Sequence, residues 1–248
     1  ESEKITLDPI KVFPLEISRQ IFQHLRGKDV LEAFLVSPDW NNVISELEVC
    51  TKSLTIKLCC DLLCDGPVKS ASVIENSQRV YESLEMSFCA QCFHLAYEMV
   101  NTGHMWKRVK ITRTTFNCTF EAMVIFSYIE SFVEELTLID VFIGNYGFDE
   151  ERRKFFFPQL KAFNTRHIEP SLYTDIFQRI TSLEKFDIWS INQTVASLQS
   201  IFRLLLTNLD LKVLNISGNI FNQLLYYDIF EHIQFKLEKM NITSQYYL

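Results

Sequence analysis

The sequence predicts an α/β fold: a short helical unit over residues 1–50, then strands alternating with helices over residues 51–248. Three observations predict it. Three stretches of helical apolar spacing fall within the first 50 residues. Beyond them an apolar strand motif recurs eight times at near-constant spacing. Between its copies, apolar residues return at intervals of three and four, the helical period.

The helical elements can be placed from their punctuation. Pro14 suits a first helical turn, and Ile17, Ile21, Phe22 and Leu25 then recur on one face. Gly27 supplies a stop, and Asp29 is suited to cap a second short helix carrying Val30, Leu31, Phe34 and Leu35. Ser37-Pro38-Asp39 opens a third, with Trp40, Val43, Ile44 and Leu47. A unit this small rarely has a sufficient core of its own, so it is expected to lean on a partner or on the rest of the chain.

Past residue 50 the pattern L-x-x-L-x-L fits with its fourth position at Leu54, Leu84, Val109, Leu136, Leu160, Phe186, Leu214 and Met240, steps of 24 to 30 residues. The sixth positions are Ile56, Met86, Ile111, Leu138, Ala162, Ile188, Ile216 and Ile242. Helical spacing follows at Cys92–Val100, Thr119–Phe132, Ser171–Ile180, Val195–Leu206 and Leu224–Phe235. Strand then helix, repeated, is the signature of a leucine-rich-repeat solenoid, and predicts a horseshoe of about eight repeats. The competing reading is an ordinary α/β domain whose strands are evenly spaced. The fifth copy is weak, because Ala162 fills an apolar slot; another register there turns Phe163 inward.

Composition narrows the function. The chain has 248 residues, 48% hydrophobic and 22% charged, with net charge −7 and pI about 5.3, which argues against a general nucleic-acid binder. No apolar stretch approaches the roughly 18 residues of a membrane helix. Seven cysteines, Cys50, Cys59, Cys60, Cys64, Cys89, Cys92 and Cys118, all lie in the first half; odd in number and irregular in spacing, they read as reduced core thiols of an intracellular protein. Catalytic motifs and phosphate-binding glycine loops are missing, so neither an enzyme nor a cofactor is expected. Cys89-Ala-Gln-Cys92 has zinc-like spacing, but nothing completes a site and no metal is expected.

The helical segment reads Phe13-Pro14-Leu15-Glu16-Ile17, Ile21-Phe22, Leu25, Asp29-Val30, Val36-Ser37 and Trp40. Over about residues 12–47 it resembles the F-box, whose usual form runs L-P-x-E, I-F, L, D-L, V-C and W. Phe13 stands where leucine is common and Ser37 where cysteine is. The resemblance implies docking on a Skp-type adaptor, and through it a cullin–RING ubiquitin ligase of the SCF type. Phe13, Pro14, Ile17, Ile21, Phe22, Leu25, Val30, Val36 and Trp40 are then the adaptor-binding residues. Joined to the repeats, it is similar to the leucine-rich-repeat branch of the F-box family, in which the repeats select a protein substrate. The fold expected is thus a three-helix F-box followed by a leucine-rich-repeat solenoid, in a cytoplasmic or nuclear substrate receptor.

Two features are candidates for holding that substrate. In a horseshoe, Ile139, Phe163 and Trp189 occupy consecutive seventh positions and form an apolar stripe on the concave face. Arg108 and Lys110 face the same side, with Arg113 nearby and Lys57 two strands away, a basic patch suited to carboxylate or phosphate. The rival class is an extracellular repeat-recognition protein, motivated by N-x-[ST] sites at Asn117, Asn192, Asn215 and Asn241. A third is an F-box scaffold without ubiquitylation. Residues Met240–Leu248 are expected to form a strand whose open edge is covered by a tail or a missing neighbour.

Overall fold

The structure, a computed structural model, describes residues 8–59, 74, 77, 79–145, 155–168, 172, 179–189, 195–226 and 237–243. Cys60, Cys64, Asn192, residues 244–248, most of the helix expected at 171–180 and the second half of that at 224–235 lie outside the described residues.

Among the described residues, five short helices precede the first strand: α1 (Pro9–Val12), α2 (Leu15–Phe22), α3 (Lys28–Phe34), α4 (Pro38–Ser45) and α5 (Glu48–Lys52). Pro14 sits just outside α2 as its N-cap residue, with an extended backbone, rather than inside the first turn as Pro38 does in α4. Gly27, at φ 51°, turns the chain from α2 into α3. The cap expected of Asp29 is not made; Asp29 lies inside the first turn of α3, where a carboxylate still opposes the positive helix end. Ser37 does cap α4: its hydroxyl accepts from the Trp40 N–H at 3.2 Å.

Eight strands follow: β1 (Thr55–Cys59), β2 (Ser83–Ser87), β3 (Arg108–Cys118), β4 (Glu135–Asn145), β5 (Ala162–Ile168), β6 (Lys185–Trp189), β7 (Val213–Ser217) and β8 (Lys239–Thr243). They form one all-parallel sheet in sequence order. Crossover helices are α6 (Phe93–Val100), α7 (Thr119–Ile129), α8 (Val195–Thr207) and α9 (Gly218–Tyr226). The last starts at Gly218, earlier than the expected Leu224, because Ile220 and Leu224 are the buried i,i+4 pair that packs it down.

Two registered rows point into the core. One runs Ile56, Leu84, Val109, Leu136, Phe163, Phe186, Leu214 and Met240; the other Leu58, Met86, Ile111, Leu138, Thr165, Ile188, Ile216 and Ile242. From β2 to β7 both rows are buried. Alternation then sends the rows between them to the other face. Phe88, Phe116, Phe126, Phe155 and Phe157 pack beneath the middle strands in ring contacts of 5.6 to 6.3 Å.

The expected fold class, an F-box helix bundle followed by a leucine-rich-repeat horseshoe, is corrected. The described residues form an α/β fold on a single eight-stranded all-parallel sheet with nine α-helices. A single hydrophobic cluster runs from Phe22 in α2 to Leu224 in α9. The recurring triplet marks strands in register, and a parallel sheet with crossover helices satisfies that pattern as fully as stacked repeats do. Two of the eight marks also move: Ile56, not Leu54, and Phe163, not Leu160, take the inward position.

Candidate interaction surfaces

Within α2, Ser18 and Phe22 are buried while Ile17 and Ile21 are exposed. Each pair is spaced four residues apart, so the helix carries an inner face and an apolar outer one. In α3 and its C-terminal end, Val30 and Ala33 face inward while Leu31 and Leu35 face solvent, Leu35 at 86% exposure and the following Val36 at 58%. Val12, Phe13, Leu15 and Val49 are exposed as well. Nine of the 18 exposed large apolar side chains among the described residues thus fall between residues 12 and 49.

The sequence-predicted adaptor residues divide accordingly. Phe13, Pro14, Ile17, Ile21 and Val36 are exposed. Phe22 and Val30 are buried, and Leu25 and Trp40 are half-buried against the core. Trp40 packs on Phe22 with ring centroids 4.7 Å apart, and its indole N–H donates to Asp8 Oδ1 at 2.8 Å. Phe22 and Val30 therefore lie beneath the exposed side chains rather than among them, and Trp40 packs on Phe22 at their margin. Leu31 and Leu35, which the sequence reading gave to a helix and not to the interface, belong to the exposed surface.

The helices are tied to the sheet by polar contacts. The Arg79 guanidinium donates to Asn41 Oδ1 at 2.7 Å and Ser45 Oγ at 3.1 Å, and Arg108 donates to the Lys52 carbonyl at 2.8 Å.

The sheet's outward face carries the second candidate. Its middle row is Lys57, Glu85, Lys110, Thr137, Asn164, Asp187, Asn215 and Asn241. Glu85 lies between Lys110 at 2.7 Å and Lys57 at 3.1 Å. The hydrogen bond from Lys110 holds its carboxyl below the usual carboxylate range, against the opposing effect of burial, with Lys57 adding to the depression. Arg108 is engaged as well, donating to Ser83 Oγ at 2.7 Å. A cavity of about 230 Å³ opens here, lined by Ser83, Glu85, Arg108, Lys110 and Glu135 among others. Of the three basic residues predicted for this face, Arg108 and Lys110 have partners within the sheet and line the cavity, whereas Arg113 has no partner among the described residues.

The expected apolar stripe is corrected. Phe163 is 1% exposed and stacks on Phe186, rings parallel at 5.6 Å. The outward row is Thr112, Ile139, Arg166 and Trp189. Arg166 takes the place assigned to Phe163, between Ile139 and Trp189. Immediately after this row, Arg113, Asp140 and His167 adopt left-handed φ of 47°, 54° and 50° on three neighbouring strands, a conformation uncommon outside glycine, to which aspartate and histidine are better suited than arginine. The bend resets the alternation, so that Thr114, Val141 and Ile168 turn inward. His167 Nδ1 lies 3.0 Å from Asp140 Oδ1.

A feature the sequence reading missed lies one residue before each strand from β2 on: Glu82, Lys107, Glu134, Lys161, Glu184, Lys212 and Glu238, alternating in sign. Their backbones continue the sheet hydrogen bonds. Side chains pair along the series at 3.2 Å (Lys107–Glu82), 3.7 Å (Lys107–Glu134), 3.4 Å (Lys161–Glu134) and 2.6 Å (Lys212–Glu184). The signal was legible: each sits two residues before the inward position of its strand.

Three asparagines of N-x-[ST] sites use their amide nitrogens internally. Asn117 Nδ2 donates to Glu121 at 2.9 Å and to the Ala90 carbonyl at 3.2 Å; Asn215 donates to Asp187, and Asn241 to Asn215. Among the described residues, no helix is long and apolar enough to cross a membrane, and no group of three or more His, Cys, Asp or Glu is placed to hold a metal ion. No protein-family model matches the chain, and no curated protein matches it significantly.

Proposed function

We propose that the chain is a substrate receptor that docks a Skp-type adaptor of an SCF-type ubiquitin ligase through α1–α3 and holds a target protein on the outward sheet face. The observation that carries this reading is the concentration of exposed apolar side chains within residues 12–49, among them Phe13, Ile17, Ile21, Leu31, Leu35 and Val36. Exposed apolar groups gathered in this way are the make-up of a protein interface. The same segment carries the F-box resemblance, and most of its motif positions are either on that surface or buried beneath it. On this reading the protein works in the cytoplasm or nucleus and is not itself an enzyme. Its action is to raise the target's local concentration at the ligase.

The glycan-bearing extracellular alternative is disfavoured at Asn117, whose two amide hydrogens both donate, to Glu121 and to the Ala90 carbonyl, so that a sugar there would displace one of these bonds. The test of the receptor reading is co-expression with a Skp-type adaptor followed by size-exclusion chromatography. A one-to-one complex supports it; separate elution of two folded proteins refutes it and favours a recognition scaffold outside ubiquitylation.

A further inference from the structure

From β1 to β7, the lysines on or beside the outward face have partners: Lys57 and Lys110 on Glu85, Lys185 on Asp187, and the series Lys107, Lys161 and Lys212 on the glutamates between them. Arg108 is held by Ser83 and the Lys52 carbonyl. Arg113 and Arg166 differ. Both are exposed, on β3 and β5, and neither has an ion-pair or hydrogen-bond partner among the described residues. Asp140, the acid on the strand between them, is turned to His167 at 3.0 Å. Arg166 is flanked in register by Ile139 on one side and Trp189 on the other, both half-buried.

We propose that this patch binds an acidic peptide segment of the target, with a carboxylate side chain on Arg166 and Arg113 and apolar side chains on Ile139 and Trp189. The proposal rests on the receptor reading for its biological setting. A guanidinium presents a planar fork of donors matched to a carboxylate, and the left-handed bend at residue 113 turns it out of the strand's ordinary alternation. Ile139 and Trp189 lie two strands apart, roughly 10 Å at the usual strand spacing. An extended segment of the form apolar-x-Glu-x-apolar spans roughly 13 Å between its outer residues, enough to place an apolar side chain on each flank of the acid. The chain's net charge of −7 makes a local unpaired basic pair the place where an acidic ligand is least repelled.

The experiment is fluorescence anisotropy with a labelled peptide, Gly-Leu-Gly-Glu-Gly-Phe-Gly, and its Glu→Gln counterpart, on the full chain without adaptor. The Glu peptide is expected to bind at least tenfold more tightly than the Gln peptide and to weaken as salt rises. The variants Arg166→Gln and Arg113→Gln, with native circular dichroism, should each lose that preference, while Lys212→Gln keeps it. Equal binding of both peptides, no binding at millimolar protein, or undiminished preference in both arginine variants overturns the proposal. Adaptor binding is measured separately on the same proteins. Loss of adaptor binding with peptide preference intact removes the receptor reading alone; the converse removes this one.

Discussion

The guanidinium of Arg79 lies 4.3 Å from the centre of the Phe34 ring, so a residue approaching β2 is stacked on the end of α3. With its hydrogen bonds to Asn41 and Ser45, this one side chain clamps α3 and α4 to the start of the sheet. Arg79→Ala is expected to destabilise the protein by about 2 kcal/mol, from loss of a cation–π contact and the polar contacts left unmade. Hydrogen exchange should quicken in α3 and α4 more than in β3 and β4. Arg79→Lys should not restore protection, because an ammonium cannot stack and fork at once.

Glu85 links acid stability to the outward face. Its carboxyl is held below the usual range in the folded protein, chiefly by Lys110, so its contribution is complete above the unfolded carboxylate range and is lost as pH falls through the depressed folded value. Glu85→Gln should therefore cost about 1 kcal/mol near pH 7. The gap between variant and wild type should close as pH falls below about 4. Urea unfolding at several pH values measures it.

The alternating series before the strands predicts a charge-reversal effect. Glu134 lies between Lys107 and Lys161, and Glu134→Lys would place three like charges in a row. A loss of about 1 kcal/mol is expected, smaller in high salt. The added change Lys107→Glu should recover part of it, as a double-mutant cycle would reveal.

Phe163 and Ile139 separate core from surface. Phe163→Ala removes a fully buried ring stacked on Phe186 and should cost about 3–5 kcal/mol. Ile139→Ala, on the half-buried outward row, should cost well under half of that. Thermal or denaturant unfolding decides the order.

Much of the local structure was legible. Strand positions followed from the recurring triplet, and Gly27, Ser37 and Pro38 punctuated the helices as they should. The assembly was not, because even spacing of apolar triplets constrains strands and says little about what connects them. The error at β5 has a chemical cause: its true register puts Thr165 in a buried slot, where the hydroxyl donates to the Asp187 carbonyl at 3.4 Å. Hydrophobicity alone favoured the wrong frame. The charge series would have corrected it, since Lys161 falls into the alternation only when Phe163 is the inward residue. In the helical segment apolar spacing marked both Ile21 and its neighbour Phe22, but only packing separates them, one exposed and the other buried.

Adaptor docking through the outer surface of α2 and α3 is tested most directly by isothermal titration calorimetry of the chain with a Skp-type adaptor, beside the double variant Ile21→Asp and Leu35→Asp. Both side chains are exposed, so the variant should keep native circular dichroism and its melting temperature within a few degrees. Wild type is expected to bind with a negative heat-capacity change, the mark of apolar burial, and the variant at least a hundredfold more weakly. Equal affinity of the two folded proteins, or no binding by wild type, would contradict docking through this surface.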